Sequence, residues 1–96
     1  MMPESTKDII ETGLGSLGKI KIIKALAEEN KLATIYALHK KTHLKREDIK
    51  NNLDDLVKIG WVTQSKYASM MYGLNRENKL LNRLIEFFKE VGYTDQ

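Results

Sequence analysis

The chain has 96 residues, of which 42% are hydrophobic and 30% charged, and it contains no cysteine. These values fit one small globular domain over residues 1–96 and exclude disulfide bonds and thiolate metal sites. No stretch approaches the roughly 20 apolar residues of a membrane span, and no signal-peptide-like apolar segment occurs near the N-terminus. We therefore expect a cytoplasmic protein without membrane contact.

The excess positive charge lies in the middle of the sequence. The net charge is +3, and residues 32–74 hold seven basic and four acidic side chains, whereas the segments before and after them are each balanced. Positive charge concentrated in one segment attracts polyanions such as nucleic acids. The central segment is therefore where we expect a nucleic-acid-binding surface.

The first part of the sequence predicts two helices. We expect a short helix over residues 3–13, where Pro3 suits a first-turn position. After a break that contains several glycines, Ser16 is a favourable N-cap for an amphipathic helix over residues 17–30. The apolar residues on one face of this helix are Ile20, Ile23, Leu26 and Ala27.

Two more helices follow, separated by a short turn. After an extended link at residues 32–33, Thr34 can cap a second helix that runs to about Lys41. Residues 42–44 form a turn, and residues 45–59 form a third helix. The apolar residues of the third helix recur at i, i+4, i+7 and i+8, namely at Ile49, Leu53, Leu56 and Val57.

The pattern changes at Gly60, which is a typical residue for ending a helix. Residues 61–67 are rich in β-branched and aromatic side chains, and residues 70–74 form a second apolar run. Both runs predict strands, and together they predict one hairpin. Asn75 can cap a last helix over residues 76–91.

Three helices, a hairpin and a further helix form the element order of a winged helix-turn-helix, a mainly α fold with a small β-hairpin. The core positions that fit this fold read Ile-Ile-Lys-Ala-Leu at 22–26, Tyr-Ala-Leu-His-Lys-Lys-Thr-His-Leu at 36–44, then Ile49, Leu53, Leu56 and Gly-Trp-Val at 60–62. These stretches resemble the ArsR- and MarR-like transcriptional regulators of bacteria and archaea. The likeness covers about residues 16–91.

The resemblance implies a sequence-specific regulator that binds double-stranded DNA as a homodimer and is not an enzyme. Residues 16–74 would form the DNA-binding core, and residues 75–96 the C-terminal dimerisation helix and tail. In such proteins the third helix enters the major groove, while the hairpin wing lies along the DNA backbone or minor groove. Arg and Lys can pair there with guanine, and Asn with adenine.

The resemblance also indicates which residues would contact DNA. In the first two turns of the third helix, the candidates are Lys45, Arg46, Lys50, Asn51 and Asn52. At the end of the second helix and in the wing, the candidates for contact with the DNA backbone are Lys40, Lys41, Ser65, Lys66, Tyr67 and Ser69.

The last helix carries the candidate dimer interface. Its apolar stripe consists of Leu80, Leu81, Leu84, Phe87, Phe88 and Val91. This stripe is wider than the core of one small domain needs. We therefore expect one edge of the stripe to pack on the domain and the other on a partner helix.

Acidic residues on the third helix leave other functions open. Glu47, Asp48, Asp54 and Asp55 lie on or near this helix, and carboxylates repel phosphate. They favour a winged-helix module that binds proteins, although the positive charge of the central segment opposes that reading. A non-specific architectural DNA binder is a second alternative, but such a protein would be expected to have a long basic tail, which this sequence lacks.

The sequence contains two short motifs that could suggest a cofactor or a metal site. Residues 13–18 match the dinucleotide-binding pattern G-x-G-x-x-G, but the βαβ context that this pattern requires is missing. We expect a flexible joint there and no cofactor. His39 and His43 are four residues apart, yet two ligands are too few for a metal site. We found no P-loop and no credible nucleophile with its base, which predicts a protein without catalytic residues.

Overall fold

The computed structural model describes residues 11–12, 14–29 and 31–94. Within these residues there are four helices and one two-stranded sheet: α1 (Leu17–Glu29), α2 (Ile35–Thr42), α3 (Arg46–Lys58), β1 (Val62–Lys66), β2 (Met70–Leu74) and α4 (Lys79–Glu90). The expected helix over residues 3–13 lies almost entirely outside the described residues. None of the helices described is long and apolar enough to cross a membrane.

Polar side chains and one glycine define the ends of the first three helices. The Ser16 hydroxyl accepts a hydrogen bond from the Lys19 amide at 3.2 Å, and the Thr34 hydroxyl accepts one from the Ala37 amide at 3.1 Å. Each bond satisfies an amide that has no partner within its helix. Gly60 follows α3 with φ of 83°, a left-handed conformation that glycine adopts without strain. The sequence predicted all three positions.

The core lies between the first three helices, the hairpin and α4. The i, i+4, i+7 spacing on α3 buries three of its side chains completely against α1 and α2. The largest fully buried side chains of the core are Trp61, Tyr72, Ile22, Ile23, Leu26, Leu38, Ile49, Leu53, Leu56, Leu81 and Val62. Helix α1 packs closely on α3 at Gly18, because a Cβ atom there would lie only 2.6 Å from Asn52 Nδ2.

The hairpin is attached to the helices by a backbone bridge that the sequence did not predict. Strands β1 and β2 pair antiparallel, with Val62 opposite Leu74. Ala33, in the link before α2, pairs with Tyr72 of β2 through two backbone hydrogen bonds of 2.8 Å. One residue is too short to show the alternation of apolar and polar side chains that indicates a strand, so the sequence predicts only an extended link there. The bridge fixes the orientation of the hairpin relative to α2.

The last helix begins later than predicted. Asn78, not Asn75, is its N-cap, and the Asn78 side chain accepts a hydrogen bond from the Leu81 amide at 2.9 Å. Asn75 instead donates to the carbonyl oxygen of Gly60 at 2.9 Å and accepts from the Glu77 amide at 3.2 Å. The prediction of an Asn75 cap was wrong because this side chain joins the end of the hairpin to the end of α3.

The apolar stripe of α4 divides into a buried edge and an outer edge. Leu81 is fully buried and Phe88 is 7% exposed, so both side chains pack within the chain, and this position does not support their prediction as direct contacts with a partner helix. Phe87 and Val91 are 54% and 59% exposed. The remaining stripe residues, Leu80 and Leu84, are half-buried and lie between the two edges.

Candidate nucleic-acid interface

The first two turns of α3 present polar side chains to solvent. Because Ile49 and Leu53 point into the core, the opposite side of the helix is exposed. The exposed residues in these turns include four of the predicted DNA-contacting residues, Lys45, Arg46, Lys50 and Asn51. Lys45 is the N-cap position and has an extended conformation without a side-chain cap. The structure therefore brings these four residues to one end of one helix.

Asn52 does not belong to this exposed group. It lies next to Leu53 on the flank of α3 that faces α1, and its side chain is partly buried. Its amide nitrogen lies against the backbone of Gly18. Asn52 therefore contributes to the packing of two helices, and this position does not support its prediction as a groove-facing residue.

A tyrosine that was not among the predicted site residues lies beside α3. Tyr36 of α2 is 55% exposed, and its ring lies under two cations. The ring centroid is 5.2 Å from the guanidinium carbon of Arg46 and 5.6 Å from Lys40 Nζ. In the sequence, Tyr36 is only the first residue of the stretch 36–44 that fits the winged-helix fold. The signal that could have found it is the i, i+4 spacing to Lys40, which places both residues on one helical face.

Lys41 lies away from this group, although it follows Lys40 in the sequence. Its Nζ atom is 3.5 Å from the carboxylates of both Glu28 and Glu29 at the end of α1. The charge of Lys41 is therefore opposed by two nearby carboxylates. Its prediction as a contact to the DNA backbone is not supported by this position.

The acidic residues of α3 have different surroundings. Asp55 is paired with Lys19 of α1 at 3.0 Å, and Asp54 with Lys50 one turn earlier at 3.2 Å. Glu47 and Asp48 are exposed in the first turn of α3, where carboxylates are favoured by the helix dipole. Two of the four carboxylates are thus partly neutralised, and the other two stabilise the start of the helix.

The wing presents its tip to solvent. Lys66, Tyr67 and Ser69 are exposed, whereas Ser65 is half-buried. The turn between the strands is closed by a hydrogen bond of 3.1 Å from the Tyr67 amide to the Ser69 carbonyl oxygen. A lysine, a tyrosine hydroxyl and a serine hydroxyl therefore lie together on a short, closed turn, and all three groups can bind phosphate oxygens.

The two histidines have structural roles at the turn between α2 and α3. His39 Nδ1 donates a hydrogen bond to the carbonyl oxygen of Leu44 at 2.7 Å. His43 is exposed and has φ of 64°, so it ends α2 in the left-handed conformation. In the described part of the chain, no three or more His, Asp or Glu side chains are grouped as metal ligands.

Comparison with known proteins bears on the fold. No family model matches the sequence, and a search of curated proteins finds no match. A structure from Enterococcus faecalis V583, described as a transcriptional regulator of the MarR family, has a TM-score of 0.70 and 14% identity, covering 97% of this chain and 90% of that chain. The ST1889 protein of the archaeon Sulfolobus tokodaii has a TM-score of 0.64 and 21% identity, covering 98% of this chain and 100% of that chain. This chain therefore has a mainly helical, MarR-like winged-helix fold.

Proposed function

We propose that the protein is a sequence-specific transcriptional regulator, not an enzyme, that binds duplex DNA as a homodimer in the cytoplasm. Helix α3 would lie in the major groove, and the hairpin would contact the DNA backbone. The observation that carries this proposal is the exposed start of α3, with three cationic side chains and one amide, Lys45, Arg46, Lys50 and Asn51. The likeness in fold to a described MarR-family regulator supports it.

The residues of the interface differ in the contacts that they can make. Asn51 is exposed on α3, and an asparagine side chain can form two hydrogen bonds with adenine. Lys50 can donate to guanine once it leaves Asp54, which requires breaking only an exposed ion pair. In the wing, Lys66, Tyr67 and Ser69 would bind phosphate oxygens and fix the orientation of the protein on the duplex.

The outer edge of the α4 stripe supports homodimerisation. Phe87 and Val91 expose apolar surface on α4. Beside them is an apolar groove of ≈ 190 Å³, lined by Leu14, Trp61, Leu80, Arg83 and Leu84. A two-fold dimer formed through this surface would present its two α3 helices to half-sites about 34 Å apart, which is one turn of DNA.

A protein-binding module is the alternative that a specific observation favours. Glu47, Asp48 and Asp54 are exposed on α3 beside the cations, so this surface also presents negative charge. A surface of mixed charge can bind a protein of complementary charge pattern. DNA binding and protein binding are distinguished by whether the protein binds a duplex at all.

The proposal is tested by fluorescence anisotropy of a labelled random-sequence duplex, titrated with the full chain at several salt concentrations. Each phosphate contact contributes a log–log salt slope of about −0.9, so five to seven contacts predict a slope of roughly −4.5 to −6.3. Sedimentation in the same buffer gives the oligomeric state. A folded protein that binds no duplex at low salt would contradict the proposal and favour the protein-binding module.

A further inference from the structure

The exposed ring of Tyr36 brings together two cations from different helices. Lys40 lies one turn later on α2, whereas Arg46 is the first residue of α3. Both cationic groups are within 6 Å of the ring centroid, the range in which a cation is attracted to an aromatic face. For exposed groups, each such contact changes an equilibrium constant by about two- to fivefold.

Neither of these cations is paired with a carboxylate in the part of the chain that the structure describes. Among the residues that the structure describes, no carboxylate oxygen lies within 4 Å of Lys40 or Arg46. By contrast, Lys41 on α2 and Lys50 on α3 are both paired with acidic side chains. The two charges on Tyr36 therefore remain available for an anion from outside the chain.

The position of the cluster indicates which part of DNA would be this anion. The guanidinium of Arg46 lies on a ring that belongs to α2, so Arg46 is directed towards α2 and away from the outermost face of α3. When a recognition helix lies in the major groove, the helix before it crosses the DNA backbone. Cations held on that earlier helix therefore face phosphates.

We propose that Tyr36 is a positioning residue that holds Lys40 and Arg46 as a preformed pair of cations for the phosphate backbone of duplex DNA. The inference rests on the proposed function. It assigns Arg46 to the backbone and leaves base recognition to Lys50 and Asn51. Preformation raises affinity because a long side chain that becomes immobilised only on binding costs about two- to tenfold.

The test compares Tyr36→Leu with Tyr36→Phe, using anisotropy of a labelled random-sequence duplex. Leucine removes the aromatic face, so we expect binding to weaken about three- to tenfold. Phenylalanine keeps the ring and should restore binding to within about twofold of the wild-type affinity. Equal losses in the two variants would contradict a role for the aromatic face.

A double-mutant cycle separates positioning from a merely structural role. In a protein that already carries Lys40→Ala and Arg46→Ala, Tyr36→Leu should cause little further loss of affinity, because no cations remain to be positioned. The same loss in both backgrounds would overturn the proposal. Arg46→Ala should also weaken binding to random and to selected duplexes by the same factor, and a larger loss on the selected duplex would refute the backbone assignment.

A measurement on the free protein tests the geometry without DNA. The side-chain protons of Lys40 and Arg46 should show upfield ring-current shifts by NMR, and Tyr36→Leu should abolish these shifts. Their absence in the wild-type protein would overturn the inference. If the wild-type protein binds no duplex, the proposed function fails and the inference fails with it. If it binds duplex but Tyr36→Leu has the same effect with and without the two cations, the inference alone is refuted.

Discussion

The lysines of the central segment differ in their surroundings, although the sequence gives each the same charge. Lys41 lies 3.5 Å from two carboxylates of α1. Lys66 is exposed in the wing, and no ion pair within 4 Å involves it among the described residues. The positive charge of residues 32–74 predicted a polyanion-binding segment, but tertiary contacts decide which of its cations can meet phosphate.

Replacing Lys66 and Lys41 separately by alanine tests this difference with the same change of charge. We expect Lys66→Ala to weaken binding to all duplexes about equally and to make the log–log salt slope less steep by about 0.9, the contribution of one phosphate. Lys41→Ala should leave the slope unchanged, because this lysine already faces Glu28 and Glu29. Anisotropy across salt concentrations measures both slopes. Equal changes in the two variants would contradict the assigned interface.

Asn51 and Asn52 are neighbours in sequence with different predicted effects. Asn51 is exposed, whereas the Asn52 amide lies against Gly18. Asn51→Ala should lower the preference for a selected duplex over a random one by about 1–3 kcal/mol, the discrimination provided by a bidentate base contact. Asn52→Ala should leave that preference unchanged. If the Asn52 variant lost more of this preference than the Asn51 variant, the assignment of base recognition to the exposed side of α3 would be contradicted.

At the scale of the elements, hydrophobic periodicity and N-cap residues were sufficient to predict α1, α2 and α3, and the run of β-branched and aromatic residues was sufficient to predict the hairpin. The spacing of Ile49, Leu53 and Leu56 determines both the presence of α3 and the side that it exposes. Periodicity could not choose between Asn75 and Asn78 as the cap of α4, because both residues can cap a helix. Both side chains donate a hydrogen bond to the carbonyl oxygen of Gly60, but only Asn78 also accepts one from an amide of α4, that of Leu81.

Gly60 is the residue at which α3 ends and the wing begins, with φ of 83°. Gly60→Ala should lower the free energy of unfolding by about 1–2 kcal/mol, because a Cβ atom is disfavoured in the left-handed region. Gly60→Asn should cost less, since asparagine tolerates this conformation better. Urea unfolding of both variants measures the difference. If Gly60→Asn lowers the free energy of unfolding as much as Gly60→Ala does, the left-handed backbone conformation is not the cause of the loss.

The site was predictable in part, for physical reasons that differ between residues. Helical geometry predicts the exposure of four candidate residues, because they do not lie on the buried face of α3: Lys45, Arg46, Lys50 and Asn51. The stacking of Arg46 on Tyr36 joins residues on two helices, and no local pattern in the sequence encodes such a contact. The pairing of Lys41 with α1 and the packing of Asn52 on Gly18 also depend on how the helices cross.

At the scale of the whole molecule, the exposed apolar residues on α4 need an explanation. Phe87→Ser should weaken the proposed dimer at least about tenfold, because each copy would lose an aromatic side chain from a two-fold interface. Leu17→Ser is the matched control, since Leu17 is also an exposed apolar residue but lies on α1. Sedimentation equilibrium measures both dissociation constants. Equal weakening in the two variants, or a monomeric wild-type protein, would refute the assignment of this interface to α4.

We propose that α3 recognises a specific sequence in duplex DNA, and selection from a random duplex library by the purified full chain tests this claim most directly. We predict enrichment of an inverted repeat whose half-sites are about 34 Å, or one helical turn, apart. We also predict that Asn51→Ala reduces this enrichment. A folded protein that retains duplexes without enriching any sequence would contradict the claim and indicate a non-specific DNA binder.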